Sequence, residues 1–314
     1  MGTGRILPPD PEWLSYPVRM PQAQIGLGLA ALGRPAYINV GHGEDVADSS
    51  VEGMERQAHE VLDAAYDHGV RWFDAARSYG RAEAFLASWL DARGLRPGDV
   101  TVSSKWGYRY TAGWRVDAGE HEVKDLSAEH LRAQWRETRE LLGEHLSVYQ
   151  IHSATLDSGV LDDPEVRREL DALRAGGIRV GLTVTGADQA ATIEQALETG
   201  GFDTLQATWN LHERSAEAAL ERAHEAGLVV LVKEALANGR LAARGAGQDA
   251  VALAAALARP WADVVLSGAA TVEQLESNLA ARELAWDDEL EERLAGLVEE
   301  PAAYWATRAE LPWN

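Results

Sequence analysis

The stretch Gly69-Val70-Arg71-Trp72-Phe73-Asp74-Ala75-Ala76-Arg77-Ser78-Tyr79-Gly80-Arg81-Ala82-Glu83 holds one strand–helix unit almost whole. Arg71–Ala75 is a short apolar run of strand length. The chain then runs on through Tyr79-Gly80, and helical periodicity begins near Arg81. The same unit recurs along the chain. Strands are expected at Gln24–Ala30, Arg71–Ala75, Val100–Lys105, Ser147–His152, Ile178–Val184, Thr204–Trp209, Leu228–Lys233 and Asp263–Gly268. Helices are expected near Met54–His68, Arg81–Ala92, Ser127–Leu142, Pro164–Ala175, Asp188–Thr199, Ser215–Ala226, Gln248–Ala258 and Val272–Ala281. Ser127 and Pro164 are helix-start signals, and Gly94, Gly176, Gly200 and Gly227 fall just past helix ends.

Eight strand–helix units in 314 residues point to an α/β fold, a (β/α)8 TIM barrel. A doubly wound sheet is the competitor, but Gly26-Leu-Gly28-Leu-Ala-Ala-Leu-Gly33 misses the spacing of a dinucleotide-binding turn and no helix start follows it. Barrel chemistry sits on loops at the C-terminal ends of strands. Two long irregular segments, Gly33–Gly53 and Trp106–Leu126, are therefore expected at that mouth. No linker or composition shift divides the chain, so residues 1–314 read as one domain. Its core covers about 24–282, after an N-terminal extension over 1–23. Residues 283–314 read as one further helix and an extended tail containing Tyr304, Trp305 and Trp313.

Composition narrows the function. Nearly half the residues are apolar and none is cysteine, which excludes disulfides, thiolate metal sites and cysteine nucleophiles and fits a reducing cytoplasm. No signal-like or membrane-length apolar run is present, so a soluble cytoplasmic protein is expected. The formal charge of −21, with no basic patch, argues against nucleic acid. Only Lys105, Lys124 and Lys233 are lysine; the other basic residues are arginine. His42 with Asp45 and Asp48, and His121 with Glu122 and Asp125, lack metal-ligand spacing, so no metal is expected. Nothing in the sequence sets an oligomeric state.

In a barrel, three strand ends bring Asp74 with Tyr79, Lys105 and His152 to one mouth. A phenol titrates near 10, too high for acid–base work at neutral pH, and a nearby ammonium is expected to draw it down. A carboxylate would hold the ammonium, for which arginine's planar head is no substitute. An imidazole could orient a substrate oxygen.

At these residues the chain resembles the aldo-keto reductase family. Gly69–Glu83 is similar to the family's motif G-[IV]-x-x-[FI]-D-[TS]-A-x-x-Y-G-x-x-E, and Val102-Ser103-Ser104-Lys105 to its lysine strand. Val148-Tyr149-Gln150-Ile151-His152 resembles its histidine strand, with Ser147 where aspartate is usual. Gly176–Thr183 and Phe202–Asn210 match two further motifs, so the resemblance runs from about Gln24 to Ala281. It implies hydride transfer between a nicotinamide and an aldehyde, ketone or alcohol. Tyr79 would be the general acid–base, tuned by Lys105 and Asp74, with His152 orienting the carbonyl. It further implies an extended NADP(H) across the mouth. Gln206 and Thr183 would meet its carboxamide, Trp209 and Leu236 would lie along it, and Gly268, Gln274 and Asn278 would line its adenosine end.

The departures bear on that cofactor. Val184 stands where the family often has asparagine. Lys233 replaces the aromatic on which nicotinamide commonly stacks, which would call for a partner such as Glu234, or for Trp209 to supply a ring face. Leu266–Gln274 holds no cation to pair with a 2′-phosphate, which leaves NAD(H) open. Trp106, Tyr108, Trp114 and Trp305 are candidates for a substrate pocket, although loop aromatics equally serve as anchors. Two other classes stay open: a nicotinamide-sensing subunit with little turnover, and a redox-neutral lyase or isomerase.

Overall fold

A computed structural model describes residues 23–242 and 247–314; the N-terminal extension lies almost wholly outside them. Eight parallel strands close a barrel: β1 Gln24–Gly28, β2 Trp72–Asp74, β3 Thr101–Trp106, β6 Leu146–Ala154, β7 Arg179–Val184, β8 Thr204–Thr208, β9 Val229–Lys233 and β10 Val264–Ser267. They correspond to the eight strands expected from sequence, in the order β1-β10-β9-β8-β7-β6-β3-β2 around the ring. Between β3 and β6 a hairpin intervenes, β4 Tyr108–Tyr110 and β5 Glu122–Lys124, paired Tyr108↔Lys124 to Tyr110↔Glu122. Trp106–Leu126 is thus not wholly irregular.

Strand alternation sorts the side chains into two layers. Trp72, Val148, Leu231, Val264 and Leu266 fill the barrel's interior. Their neighbours turn outward: Phe73 meets Trp89 of the helix Ala82–Arg93 with ring centroids 5.1 Å apart. Ser127 caps the helix Ala128–Leu142, as its sequence signal implied, by accepting from the His130 amide. Asp163 caps Pro164–Ala175, whose proline sits in the first turn where its missing N–H costs nothing. The C-terminal segment differs in detail from one helix and an extended tail. It forms two helices, Asp288–Leu294 and Pro301–Ala309, so Tyr304 and Trp305 are helical. Glu300 caps the second.

Gly33 and Gly80 bring the loop after β1 onto the loop after β2. A Cβ on Gly33 would lie 2.2 Å from the Tyr79 carbonyl oxygen, and one on Gly80 (φ +60°) would lie 2.4 Å from the Gly33 oxygen. Glycine at both positions lets the backbones touch, and the Arg81 amide donates to Gly33 O at 2.7 Å. This contact fixes the turn that carries Tyr79.

Candidate active site

The C-terminal mouth of the barrel opens into a cavity of about 1070 Å³. Asp74 ends β2, Lys105 lies one residue before the end of β3, and His152 sits near the end of β6; all three are buried. The Lys105 ammonium bonds Asp74 Oδ2 and donates to Ala75 O at 2.9 Å and to the Tyr79 hydroxyl at 3.4 Å. The same hydroxyl stands 3.5 Å from His152 Nε2. The four residues expected from sequence to converge do so.

Asp74 is held on its other oxygen as well. Ser103 Oγ donates to Oδ1 at 2.6 Å and Gln150 Nε2 at 3.3 Å, while Trp72 Nε1 donates to Ser103 at 3.0 Å. Every partner is an inward position of β2, β3 or β6, so the lysine's counter-ion is fixed by the sheet itself. Glu83, the last residue of the opening motif, is buried beneath this loop. It pairs with Arg77 at 2.5 Å and accepts from Ser104 and Thr138 at 2.5 and 2.9 Å, which anchors the Asp74–Tyr79 segment to β3 and to helix Ala128–Leu142.

The electrostatics depart from the expectation that an ammonium would lower the tyrosine. Burial pushes the Tyr79 hydroxyl well above its ordinary range and the Asp74 carboxylate adds to that, with Arg34 opposing. Lys105 is already matched by Asp74, so little of its charge is left to favour a phenolate. Tyr79 therefore stands as a neutral O–H. Burial, with Lys105, Arg34, Lys233 and Lys124 around the ring, holds His152 well below its usual range and keeps it neutral too.

Arg34, not singled out from sequence, completes the wall. Buried Arg34 donates to Ser78 O at 3.0 Å and pairs with Glu122 of β5 at 2.9 Å; its guanidinium lies 5.2 Å from the Tyr79 ring centre and 4.8 Å from that of Trp313. Trp313 stacks on His121 at 4.3 Å, and the Asn314 backbone exchanges bonds with Tyr37 at 3.1 and 3.3 Å. The tail is thereby laid across the loop after β1, beside Tyr79. An arginine just after Gly33, on a loop following the first strand, was the one available signal.

Of the expected cofactor contacts, Thr183, Gln206, Leu236, Gly268, Gln274 and Asn278 all line the cavity. Gln206 Nε2 is buried there without a hydrogen-bond partner. Thr183 accepts from the Ser153 amide at 2.7 Å, which leaves its own O–H to donate. Asn278 donates to Ser267 Oγ at 2.8 Å, and Gln274 accepts from the Ala270 amide at 2.9 Å. Trp209 is elsewhere. One residue beyond inward-facing Thr208, it is buried outside the barrel against Trp261. Among the pocket candidates Tyr108 lines the cavity, its ring 4.9 Å edge-on to His152. Trp106 follows inward-facing Lys105 and so turns into the outer core. Trp114 is a loop anchor, packed on Phe85 with Nε1 donating to Ser49 O at 2.7 Å. Trp305 stands behind the cavity wall, its ring centre 5.7 Å from the Lys233 ammonium. Lys233 itself lines the cavity and has Glu234 at 3.7 Å, the partner its sequence context called for.

The sequence profile of the aldo/keto reductase family matches residues 24–250, the span that carries these side chains. The chain belongs to the aldo/keto reductase family. The family is one of oxidoreductases. An aldo-keto reductase of Metarhizium robertsii is 28% identical over 246 residues, 66% of each chain, so the match spans just under two thirds of that relative. An uncharacterized oxidoreductase of Bacillus subtilis is 24% identical over 76% of this chain and 86% of its own. The holo form of an aldo-keto reductase from Bacillus halodurans superposes with a TM-score of 0.67 at 19% identity, covering 89% of this chain and 93% of that one, a likeness of fold. In this family member no helix of the described residues is long and apolar enough to cross a membrane. Among the same residues no three His, Asp or Glu side chains gather as a metal site.

Proposed function

We propose that this chain is an NAD(P)(H)-dependent reductase of small aldehydes or ketones, able to run backwards on the alcohol, with Tyr79 as its general acid–base. The observation that carries the reading is the Tyr79 hydroxyl, 3.4 Å from the Lys105 ammonium and 3.5 Å from His152 Nε2 on a cavity wall. A neutral, buried phenol is a loaded proton donor. In reduction its proton goes to the carbonyl oxygen as hydride reaches the carbon. The phenolate then left accepts a hydrogen bond from the Lys105 ammonium 3.4 Å away, whose position Asp74 and Ala75 O fix. Neutral His152 offers a hydrogen bond to the same oxygen and sets its direction.

A nicotinamide fits the residues present. The unpartnered Gln206 amide is a donor of the kind a carboxamide oxygen satisfies, and the Thr183 O–H is a second. When bound, the reduced cofactor supplies the hydride. Leu236, Gly268 and Asn278 would line its extended course. Two carboxylates, Asp249 and Glu273, line the cavity near the turn after β10. They favour NAD(H), which has no 2′-phosphate, over the NADP(H) that the resemblance implies.

Turnover tests the reading: reduced-nicotinamide absorbance followed with NADH and NADPH against aldehydes, ketones and quinones. Consumption that Tyr79→Phe abolishes is the expected result. Tight cofactor binding with no turnover would point instead to a nicotinamide-sensing subunit.

A further inference from the structure

The chain's three lysines, in a sequence otherwise served by arginine, all surround one imidazole. Lys105, Lys124 and Lys233 each lower the basicity of His152. Three segments deliver them: β3, β5 and the end of β9. Charge pairing around the mouth shows what each is for. Asp74 is matched by Lys105, Glu122 by Arg34, and Glu234 by Arg308, which binds both its oxygens at 2.8 and 2.5 Å. With those three pairs formed, Lys233 on the cavity wall shares Glu234 with Arg308, and Lys124 is a further cation, exposed and outside the cavity lining. Lys124 Nζ donates to Ser153 O at 2.6 Å and has no carboxylate at ion-pair distance among the described residues. Lys233 Nζ donates to the neutral Thr208 hydroxyl at 2.7 Å and reaches Glu234, already engaged by Arg308, only at 3.7 Å.

An ammonium in a cavity that must share its carboxylate with an arginine is under-compensated, and an anion that visits it relieves that cost. Burial pulls Lys233 down to about 8, with Arg308 and Lys105 adding and Glu234 opposing, so it remains a cation at neutral pH. The other end of the cavity has the reverse sign. A net charge of −21 makes a cationic pocket wall a local arrangement and not a reflection of composition. An anion drawn into this cavity is steered toward the tyrosine end.

We propose that the site takes carbonyl substrates bearing a carboxylate, and that Lys233 reads that group while Lys124 adds to the field. This rests on the reductase reading of the same cavity. The carbonyl oxygen lies between Tyr79 and His152, and the carboxylate replaces Thr208 and distant Glu234 as the partner of Lys233. The aromatic side chain that family resemblance leads one to expect at residue 233 could not serve in this way.

Calorimetric titration of para-hydroxymethylbenzoate and its uncharged methyl ester into the full chain, with and without NADH, tests this independently of turnover. The acid is expected to bind at least about tenfold more tightly than the ester in both conditions. Lys233→Met is expected to remove that advantage and Lys233→Arg to restore part of it. Equal binding of acid and ester, or a preference that survives Lys233→Met, overturns the proposal. So does an acid preference that disappears when NADH is added, which would assign Lys233 to the cofactor's phosphates. Should Lys233→Met fail to fold, the wild-type comparison and Lys233→Arg still decide. An acid preference without any turnover would refute the reductase reading and leave the anion site standing.

Discussion

The two ends of one cavity are built differently. At the tyrosine end, Asp74, Lys105 and His152 are buried on strands, and each lining carboxylate is paired with a cation. At the end beside the turn after β10 the polar residues sit on loops and helix starts, carry neutral amides or carboxylates, and hold no cation among the described lining residues. The first arrangement suits a fixed proton donor and an orienting imidazole. The second suits a flexible ligand gripped by hydrogen bonds, and discourages extra negative charge. The same distinction separates what is rigid in the chemistry from what is adjustable in the binding.

The sharpest way to break this contrast is Lys105→Met. It leaves Asp74 buried without its cation, and loss of one partner of such a pair costs about 3–5 kcal/mol. Urea unfolding is expected to show that loss, and the partner change Asp74→Asn in the same chain should return part of it. A chain that tolerates Lys105→Met without loss of stability would place the pair on the surface, against its burial.

The acidic end makes the second prediction. NADH is expected to bind at least about tenfold more tightly than NADPH in fluorescence titrations. Glu273→Lys should narrow the gap by supplying the cation that the Leu266–Gln274 turn lacks. A large NADPH advantage in the unaltered chain would refute that half of the contrast.

Third, Glu234 belongs to the cationic end and should show it in acid. Burial pushes its carboxyl up, yet Arg308 and Lys233 outweigh burial and bring it to about 2 from an ordinary 4.5. A carboxyl lowered on folding stabilises the fold above its unfolded pKa and ceases to as pH falls toward the folded one. Stability should therefore decline between pH 4.5 and about 2, and Glu234→Gln should flatten that part of the melting-temperature profile. An unchanged profile would mean that the Arg308 pair is not formed.

The smallest effect is expected at Thr271, which caps the helix Val272–Leu279 at the acidic end by accepting from the Gln274 amide at 3.2 Å. Thr271→Ala should cost about 1 kcal/mol in chemical unfolding, well short of the Lys105 change.

Much of the barrel was legible because parallel strands buried on both faces read as short apolar runs, and glycines mark the helix ends between them. Asp74, Lys105 and His152 were legible for the same reason: each is an inward position at a strand end. Trp106 and Trp209 went the other way by a single residue. Each follows an inward side chain, and alternation sends it into the outer layer, a distinction that depends on strand phase and not on residue type. The β4–β5 hairpin escaped notice because its strands have three residues each and an eleven-residue connection over 111–121 without a tight-turn signal. Arg34 and Trp313 reach Tyr79 from a loop and from the chain's end, so only tertiary packing brings them there. The neutral state of Tyr79 was hidden as well. An ammonium's influence on a phenol depends on whether a carboxylate already claims it, and on how dry the site is.

The proposed chemistry turns on one proton. Replacing Tyr79 by phenylalanine removes the hydroxyl and keeps the ring beneath Arg34. With whichever carbonyl the native chain reduces, the variant is expected to lose about 10²–10⁴-fold in kcat while its affinity for the nicotinamide, measured by fluorescence titration, stays that of the native chain. A Tyr79→Phe protein that still reduces the carbonyl at the native rate would contradict the assignment of Tyr79 as the proton donor.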